Sequence, residues 1–357
     1  MSLNFGGDSQ VRMLMSLNGA MRTADGRLMH SNSAGLHNNL SYRDVSLKGV
    51  FLVSNTENAD VEVDSASLDR TAPTKGVEGT DRLILQALQA RVGGGTFSAE
   101  VQDVGRKFAG YSMLTGSGYT ADQAKQLEKE KGLKRFALGY NGDLVGGLTF
   151  ANTYRSIQDG GSSITFQNYS VKSGGAELYF NSREIDRNFS RFKDIAEGER
   201  DQLAKERGIT RESLGGKYSF SGAKLNYDHT SIYDNRGGIY RQSFALESDW
   251  VAAHYNTQEI SRDFTRSNDL SEAERGQWGK ERGIERMSFD LSTGKLVKGV
   301  SANVARREFG DGDGGLRASE LSISGNGFAL EMWSRGTDAS FQRLPDLSQA
   351  EMDAMIQ

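Results

Sequence analysis

A block of about 75 residues, written three times and begun a fourth time, constrains the fold of this chain more than any other feature. Each copy runs through a short alternating strand, an apolar residue with a phenylalanine four places on, a charged stretch, and a glycine and a basic residue that lead into the next strand. The two clearest copies span Glu177 to Arg211 and Ala252 to Arg286. Ile185 recurs as Ile260, Phe189 as Phe264, Gly208 as Gly283 and Arg211 as Arg286, each 75 residues on. A looser copy passes through Val104, Phe108, Leu127 and Arg135, and the last begins at Phe328 and stops inside its charged stretch. The chain therefore reads as one β-repeat domain over 1–357, with units 11–134, 135–210, 211–285 and 286–357. The last is incomplete, as in a fragment of a larger array. Repeats of this length are supersecondary units that bury their apolar faces only against their neighbours.

Alternation and turn residues together predict about 18 strands. They fall near 11–18, 21–31, 36–47, 50–64, 81–92, 96–103, 135–141, 144–156, 162–172, 175–183, 211–220, 223–233, 238–248, 250–258, 286–293, 296–308, 314–324 and 328–335. The 43 glycines and only 2 prolines suit long runs of paired strands, because proline removes a ladder donor. Tight turns are expected at Gly19, Gly94, Gly142, Gly174, Gly222, Gly294 and Gly327. Every other connection is longer: Ser65–Gly79, Gln158–Ser163, Asp234–Gly238, Gly310–Gly315 and the charged inserts. The inserts read as short helices, with capping boxes at Thr120/Gln123, Ser271/Glu274 and Ser348/Glu351 and C-terminal glycines at Gly132, Gly208 and Gly283. Short turns then lie at one end of an antiparallel up-and-down meander, and long loops and helices at the other.

One strand parity is apolar, as in Phe136, Leu138 and Tyr140, in Tyr218 and Phe220, and in Met287, Phe289 and Leu291; the other is small or polar. Burying apolar surface is worth about 25 cal/mol per Å², so the apolar face needs a cover. The inserts are too charged to supply one, and their acid and base pairs, as in Glu197 to Arg207, read as solvated helix charges. A second sheet formed by doubling of the meander, or lipid, remains. A soluble barrel filled by its own side chains fails on size, because filling works only near eight strands.

With this alternation, these glycine turns and this asymmetry of turns, the chain resembles bacterial outer-membrane β-barrels of the porin type. The resemblance covers nearly all of 11–335 and rests on pattern, with no specific motif. It implies an all-β fold, a closed transmembrane barrel of about 18 strands with helical inserts in the long loops at one end. It also implies a lipid bilayer as partner, the outer membrane as location, and a passive pore or envelope scaffold as function. The expected lumen residues are Glu177, Lys217, Lys224, Asp228, Arg241, Glu247 and Asp290, whose mixed charges predict weak ion selectivity. The alternative is a soluble extracellular β-repeat protein for adhesion or surface coating, without a pore. Phe108, Phe189, Phe264 and Phe341 are expected to seat the inserts on the sheet rim as separable caps, leaving charged surfaces for self-association or envelope partners.

Composition excludes other classes. With 43 basic and 47 acidic residues interspersed, the net charge of −4 offers no basic stripe for nucleic acid. No cysteine is present, which removes disulfides and thiolate metal sites, and no apolar run reaches the roughly 18 residues of a membrane helix. The N-terminus has neither the basic start nor the apolar core of a signal peptide, as in a chain that is not exported or a mature or excised piece. His30, His37, His229 and His254 share no metal-ligand spacing. Asp311 and Asp313 in the glycine-rich loop at Gly310 are placed as calcium ligands can be, but lack a later glutamate; the plainer reading is a turn. No nucleophile, base and acid group together, so neither an enzyme nor a cofactor is expected.

Overall fold

The computed structural model describes residues 2–4, 9–22, 28–58, 79–115, 117–144, 146–278, 281–297 and 299–356. The strands are β1 (Ser2–Asn4), β2 (Gln10–Arg22), β3 (Leu28–Tyr42), β4 (Val45–Asn58), β5 (Gly79–Val92), β6 (Gly94–Val104), β7 (Lys134–Asp143), β8 (Leu148–Gln158) and β9 (Ser163–Ser173). They continue with β10 (Ala176–Ile185), β11 (Thr210–Phe220), β12 (Ala223–Tyr233), β13 (Gly238–Glu247), β14 (Val251–Ile260), β15 (Glu285–Val297), β16 (Val300–Gly310), β17 (Gly315–Gly325) and β18 (Phe328–Thr337). Helices α1 (Ser112–Thr115) and α2 (Ala121–Lys129) form the first insert, and α3 (Glu197–Lys205), α4 (Glu272–Trp278) and α5 (Gln349–Ile356) the next three.

The chain forms two compact units: Met1–Leu144, Ala151–Phe166 and Asn188–Ala204 in the first, Val145–Phe150, Gln167–Arg187 and Lys205–Gln357 in the second. Within the first, β1 to β7 pair in sequence order, each antiparallel to the next. Within the second, β10 to β18 do the same. The predicted all-β, antiparallel, up-and-down character therefore holds in each unit. Connections alternate as predicted: Ser221-Gly222 and Asn326-Gly327 close two-residue hairpins with positive φ at both residues, as type I′ turns require. The next connection along is a helical insert or an aspartate-led loop.

Several expected boundaries move. Gly19 and Gly294 sit inside β2 and β15, next to register shifts, so these glycines mark bulges where turns were expected. Gly142 lies inside β7 opposite Gly95, where an added Cβ would collide with the Gly95 backbone. The real turn after β3 has no glycine; Arg43 takes φ 49°, and the strand predicted through 36–47 breaks there. The expected loop over 65–79 and the end of the strand at 59–64 lie outside the described residues, Gly79 alone excepted, which opens β5.

The two sheet faces differ as the parity predicts. In the first unit one cross-strand row reads Leu40, Leu47, Leu88, Ala99, Leu138; in the second, Ala176, Tyr218, Leu225, Leu246, Ala253, Leu291, Val304, Leu321, Met332. The inserts pack on the opposite, polar face at its long-loop end. There the polar parity turns apolar, as in Leu52, Leu83 and Val104, and in Ile232, Ile239 and Ile260. These residues form the buried core together with the inserts. Phe264, Leu270 and Trp278 close on Ile209, Ile232, Ile239 and Ile260, and Phe108, Tyr111, Leu114 and Leu127 close on Val50, Leu52, Leu83, Leu85 and Val104. The insert and the strand ends thus share one cluster, and the picture of separable caps gives way to a rim core.

Candidate functional site

All seven residues expected in a lumen stand on the polar face of the second unit. Glu177, Lys217 and Asp290 lie on one cross-strand row with Asn226, Ala245 and His254 between them. Lys224 opposes Glu247. Asp228 and Arg241 occupy the next rows toward the rim, opposite Ser243 and Thr230. Tyr179 lies across Gly215, where an added Cβ would meet its ring, and its hydroxyl donates to Asp228. Arg307 donates to Asp290 at 2.6 Å, Lys172 pairs with Glu177 at 2.9 Å, and the Arg241 guanidinium stands 5.6 Å from the Trp278 ring centre. The face carries both signs of charge, interleaved.

Above it the inserts are locked by a recurring device that the reading of solvated helix charges missed. In the first unit, Arg135 pairs with Glu130 at the end of its own insert (2.9 Å) and with Glu199 of the following insert (3.9 Å). In the second, Arg211 bridges Glu206 (2.8 Å) and Glu274 (2.8 Å), and Arg286 bridges Glu281 (3.2 Å) and Glu351. An arginine in each of the last three inserts reaches back to a backbone carbonyl at or beyond the end of the preceding insert's helix. Arg191 donates to Lys131 O at 2.7 Å, Arg266 to Lys205 O at 3.1 Å and Arg343 to Arg282 O at 2.8 Å. The bond to Lys205 O satisfies one of the orphan carbonyls at the C-terminus of α3. The sequence signal was present: a glutamate five residues before each arginine, repeated at Glu130, Glu206 and Glu281.

The capping boxes are present as predicted, and two of their glutamates serve both the helix and the ladder. Glu274 caps Ser271 N at 3.0 Å and Glu351 caps Ser348 N at 2.8 Å while each also binds the preceding arginine. Burial alone would push the Glu274 carboxyl up, but hydrogen bonds from Arg211 and Ser271, with the Arg211 charge, bring it down to about 2. A depressed carboxylate contributes stability above its unfolded value and loses it as pH falls through the folded one. The Glu274 contribution, on the order of 2 kcal/mol once discounted for the water that still screens the partly exposed carboxyl, should be complete above about pH 4.5 and fade toward about pH 2. Exchange protection of α4, followed through this range, should fall in the native chain and fall less in Glu274→Gln; parallel curves would refute the assignment.

The ladder's first rung differs. His37 stands on the same row of the first sheet as Arg135, and α2 carries Gln123 at the capping position that holds Glu274 and Glu351 in later inserts. His37 Nδ1 is buried without a hydrogen-bond partner among the described residues. His37 and Gln123 line a cavity of about 790 Å³ beneath the first insert, with Gln126, Arg135, Arg155 and Glu199 on its other walls. In the second unit Thr230, Arg241, Gln258, Arg286, Arg307 and Glu351 line one of about 490 Å³.

The aspartates considered for calcium face donors. Asp311 Oδ1 accepts from the backbone N–H of Asp313 (3.0 Å) and Gly314 (2.9 Å), and Arg262 donates to Asp313 Oδ2 at 2.7 Å, so a guanidinium occupies the cation's place. The loops led by Asp159 and Asp234 close in the same way. Among the described residues no histidine, aspartate and glutamate cluster can hold a metal. His37 and His254 fall on polar rows and His229 on the apolar face, each on a different strand; the His30 side chain lies outside the described residues. Phe108, Phe189, Phe264 and Phe341 are all buried.

No protein-family model matches the chain, and no curated protein matches it. Among solved structures it is similar to the OccK8 (OprE) protein of Pseudomonas aeruginosa, with a TM-score of 0.28 and 9% identity over 92% of each chain. It is also similar to a BenF-like porin from Pseudomonas fluorescens Pf-5, with a TM-score of 0.27 and 10% identity over 96% of each chain. OccAB2 of Acinetobacter baumannii gives a TM-score of 0.25 and 7% identity over 93% of this chain and 92% of that one. Likenesses this weak say nothing of what the chain does.

Proposed function

We propose that this chain is an outer-membrane β-barrel of the bacterial envelope, a passive pore or scaffold whose apolar face meets lipid and whose polar face lines a lumen. The observation that carries the reading is which face lies open. Met13, Leu36, Phe51 and Phe136 in the first unit, and Leu178, Tyr218, Phe244, Tyr255, Leu330 and Met332 in the second, are all exposed on the apolar face. The inserts, the only elements outside the sheets among the described residues, pack on the other face. A contiguous apolar face of this extent requires a cover, and lipid is one that leaves the polar face to water. Tyr42, Phe97 and Tyr140 in the first unit, and Tyr218, Phe220 and Phe328 in the second, gather near the short turns, as aromatic residues do at a membrane interface.

The purified chain should need detergent to stay soluble, should migrate differently on gels before and after heating, and should conduct in planar bilayers with weak selectivity. Lys217→Glu with Arg241→Glu should shift the reversal potential toward cation preference, because both charges stand on the polar face. A monodisperse, detergent-free monomer that does not conduct would sink the pore and support the soluble surface protein.

A further inference from the structure

Among the described residues, every large apolar side chain that a strand leaves exposed stands on the apolar face, with one exception, Trp333. It is 72% exposed and lies on the polar row that runs through Glu177, Lys217, Asp290 and Glu320, directly opposite Glu320. Strand alternation puts Glu331 and Arg335, two residues to either side, on the same face. The Arg335 guanidinium stands 5.4 Å from the indole centre. Four other aromatics among the described residues also lie under arginines, Tyr42 under Arg43, Phe166 under Arg155, Trp278 under Arg241 and Phe309 under Arg286; of these Tyr42 alone is exposed, and it stands on the apolar face. All of β18 is exposed, so what sets Trp333 apart is its face: it is the large apolar side chain that the strand turns to the polar side.

We propose that Trp333 is the stacking platform of a sugar-binding subsite on the polar face. A pyranose ring presents a sheet of C–H groups that matches an indole face, and a girdle of hydroxyls that needs acceptors and donors at the ring edge. Glu320 and Glu331 are the acceptors and Arg335 the donor. A quaternary ammonium would also favour an indole, but Arg335 already sets a positive charge against it. An aromatic acid would stack and leave both carboxylates without donors. The subsite deepens the pore reading and rests on it only for access, because the polar face is where a permeating solute would pass.

The test uses the full chain in detergent, titrated with maltohexaose and cellohexaose and, as counter-probes, choline chloride and sodium benzoate. At least one oligosaccharide should shift the tryptophan emission, and the difference between the native chain and Trp333→Phe isolates this residue from Trp250 and Trp278. Equilibrium dialysis with labelled sugar should show binding about tenfold weaker in Trp333→Ala and also weakened in Glu320→Gln. Both substitutions are exposed, and unchanged exchange protection of the strands would show that the fold is intact. Equal sugar binding by Trp333→Ala, or a response to choline or benzoate alone, overturns the subsite. Conductance without sugar binding overturns the subsite and leaves the pore; sugar binding without conductance does the reverse.

Discussion

Truncating Phe264 to alanine is expected to remove about 3–5 kcal/mol from the third insert and its strand ends. The side chain is 1% exposed and sits in one cluster with Leu270 and Trp278 of the insert and with Ile209, Ile232, Ile239 and Ile260. Because insert and strand ends share that cluster, amide exchange should accelerate in α4 and also at the long-loop ends of β12, β13 and β14. The short-turn ends of the same strands, which hold none of the buried cluster, should keep their protection. Phe189→Ala should act alike on the second insert, where the ring is fully buried against Phe192 at 5.0 Å between centres. Loss confined to the helices would restore separable caps, and loss along whole strands would place the phenylalanine in a core common to the entire sheet.

Glu206→Ala should cost a similar amount, about 3–5 kcal/mol, for a different reason. Its carboxylate is 1% exposed and is held by both Arg183 and Arg211, so its removal leaves Arg183 without its carboxylate and two guanidinium groups sharing the single remaining counter-charge of Glu274. Arg183→Gln should be far milder, within about 1 kcal/mol. The other repeats already use this arrangement, with Gln102 bonded to Glu130 and Gln258 bonded to Glu281. Thermal melts in detergent read both variants; a Glu206→Ala chain as stable as the native one would remove the ladder from the energetics of the rim.

Much of the fold was legible because its determinants are periodic. Alternation places residues on faces, so the seven polar-face positions could be read without knowing which strand pairs with which. The 75-residue recurrence marks Phe189 and Phe264 as equivalent before any contact is known. Turns were read less well where glycine was taken as the sole signal. Gly19, Gly142 and Gly294 serve bulges or close backbone approach, and the turn at Arg43 uses a residue with no such signature. The ladder was missed for another reason. Helical neighbours three and four apart suggest local pairing, whereas Arg211 and Glu274 meet across 63 residues. Nothing in local charge spacing distinguishes that pairing from solvated surface, except that the glutamate recurs at Glu199, Glu274 and Glu351 and the arginine at Arg135, Arg211 and Arg286.

The ladder also bears on how such a chain can change over generations. Each insert grips only its immediate neighbours, and one copy contributes four strands, so an in-frame duplication or loss of one copy alters strand number by four and leaves every remaining rung with a partner of the same kind. An even increment also preserves the antiparallel order. A lineage carrying this block could therefore vary the width of its sheet by unequal crossing-over, without a compensating mutation at any contact. At the first insert, where His37 and Gln123 stand at the positions that hold arginine and glutamate in later copies, a new copy would find no matching grip among the described residues.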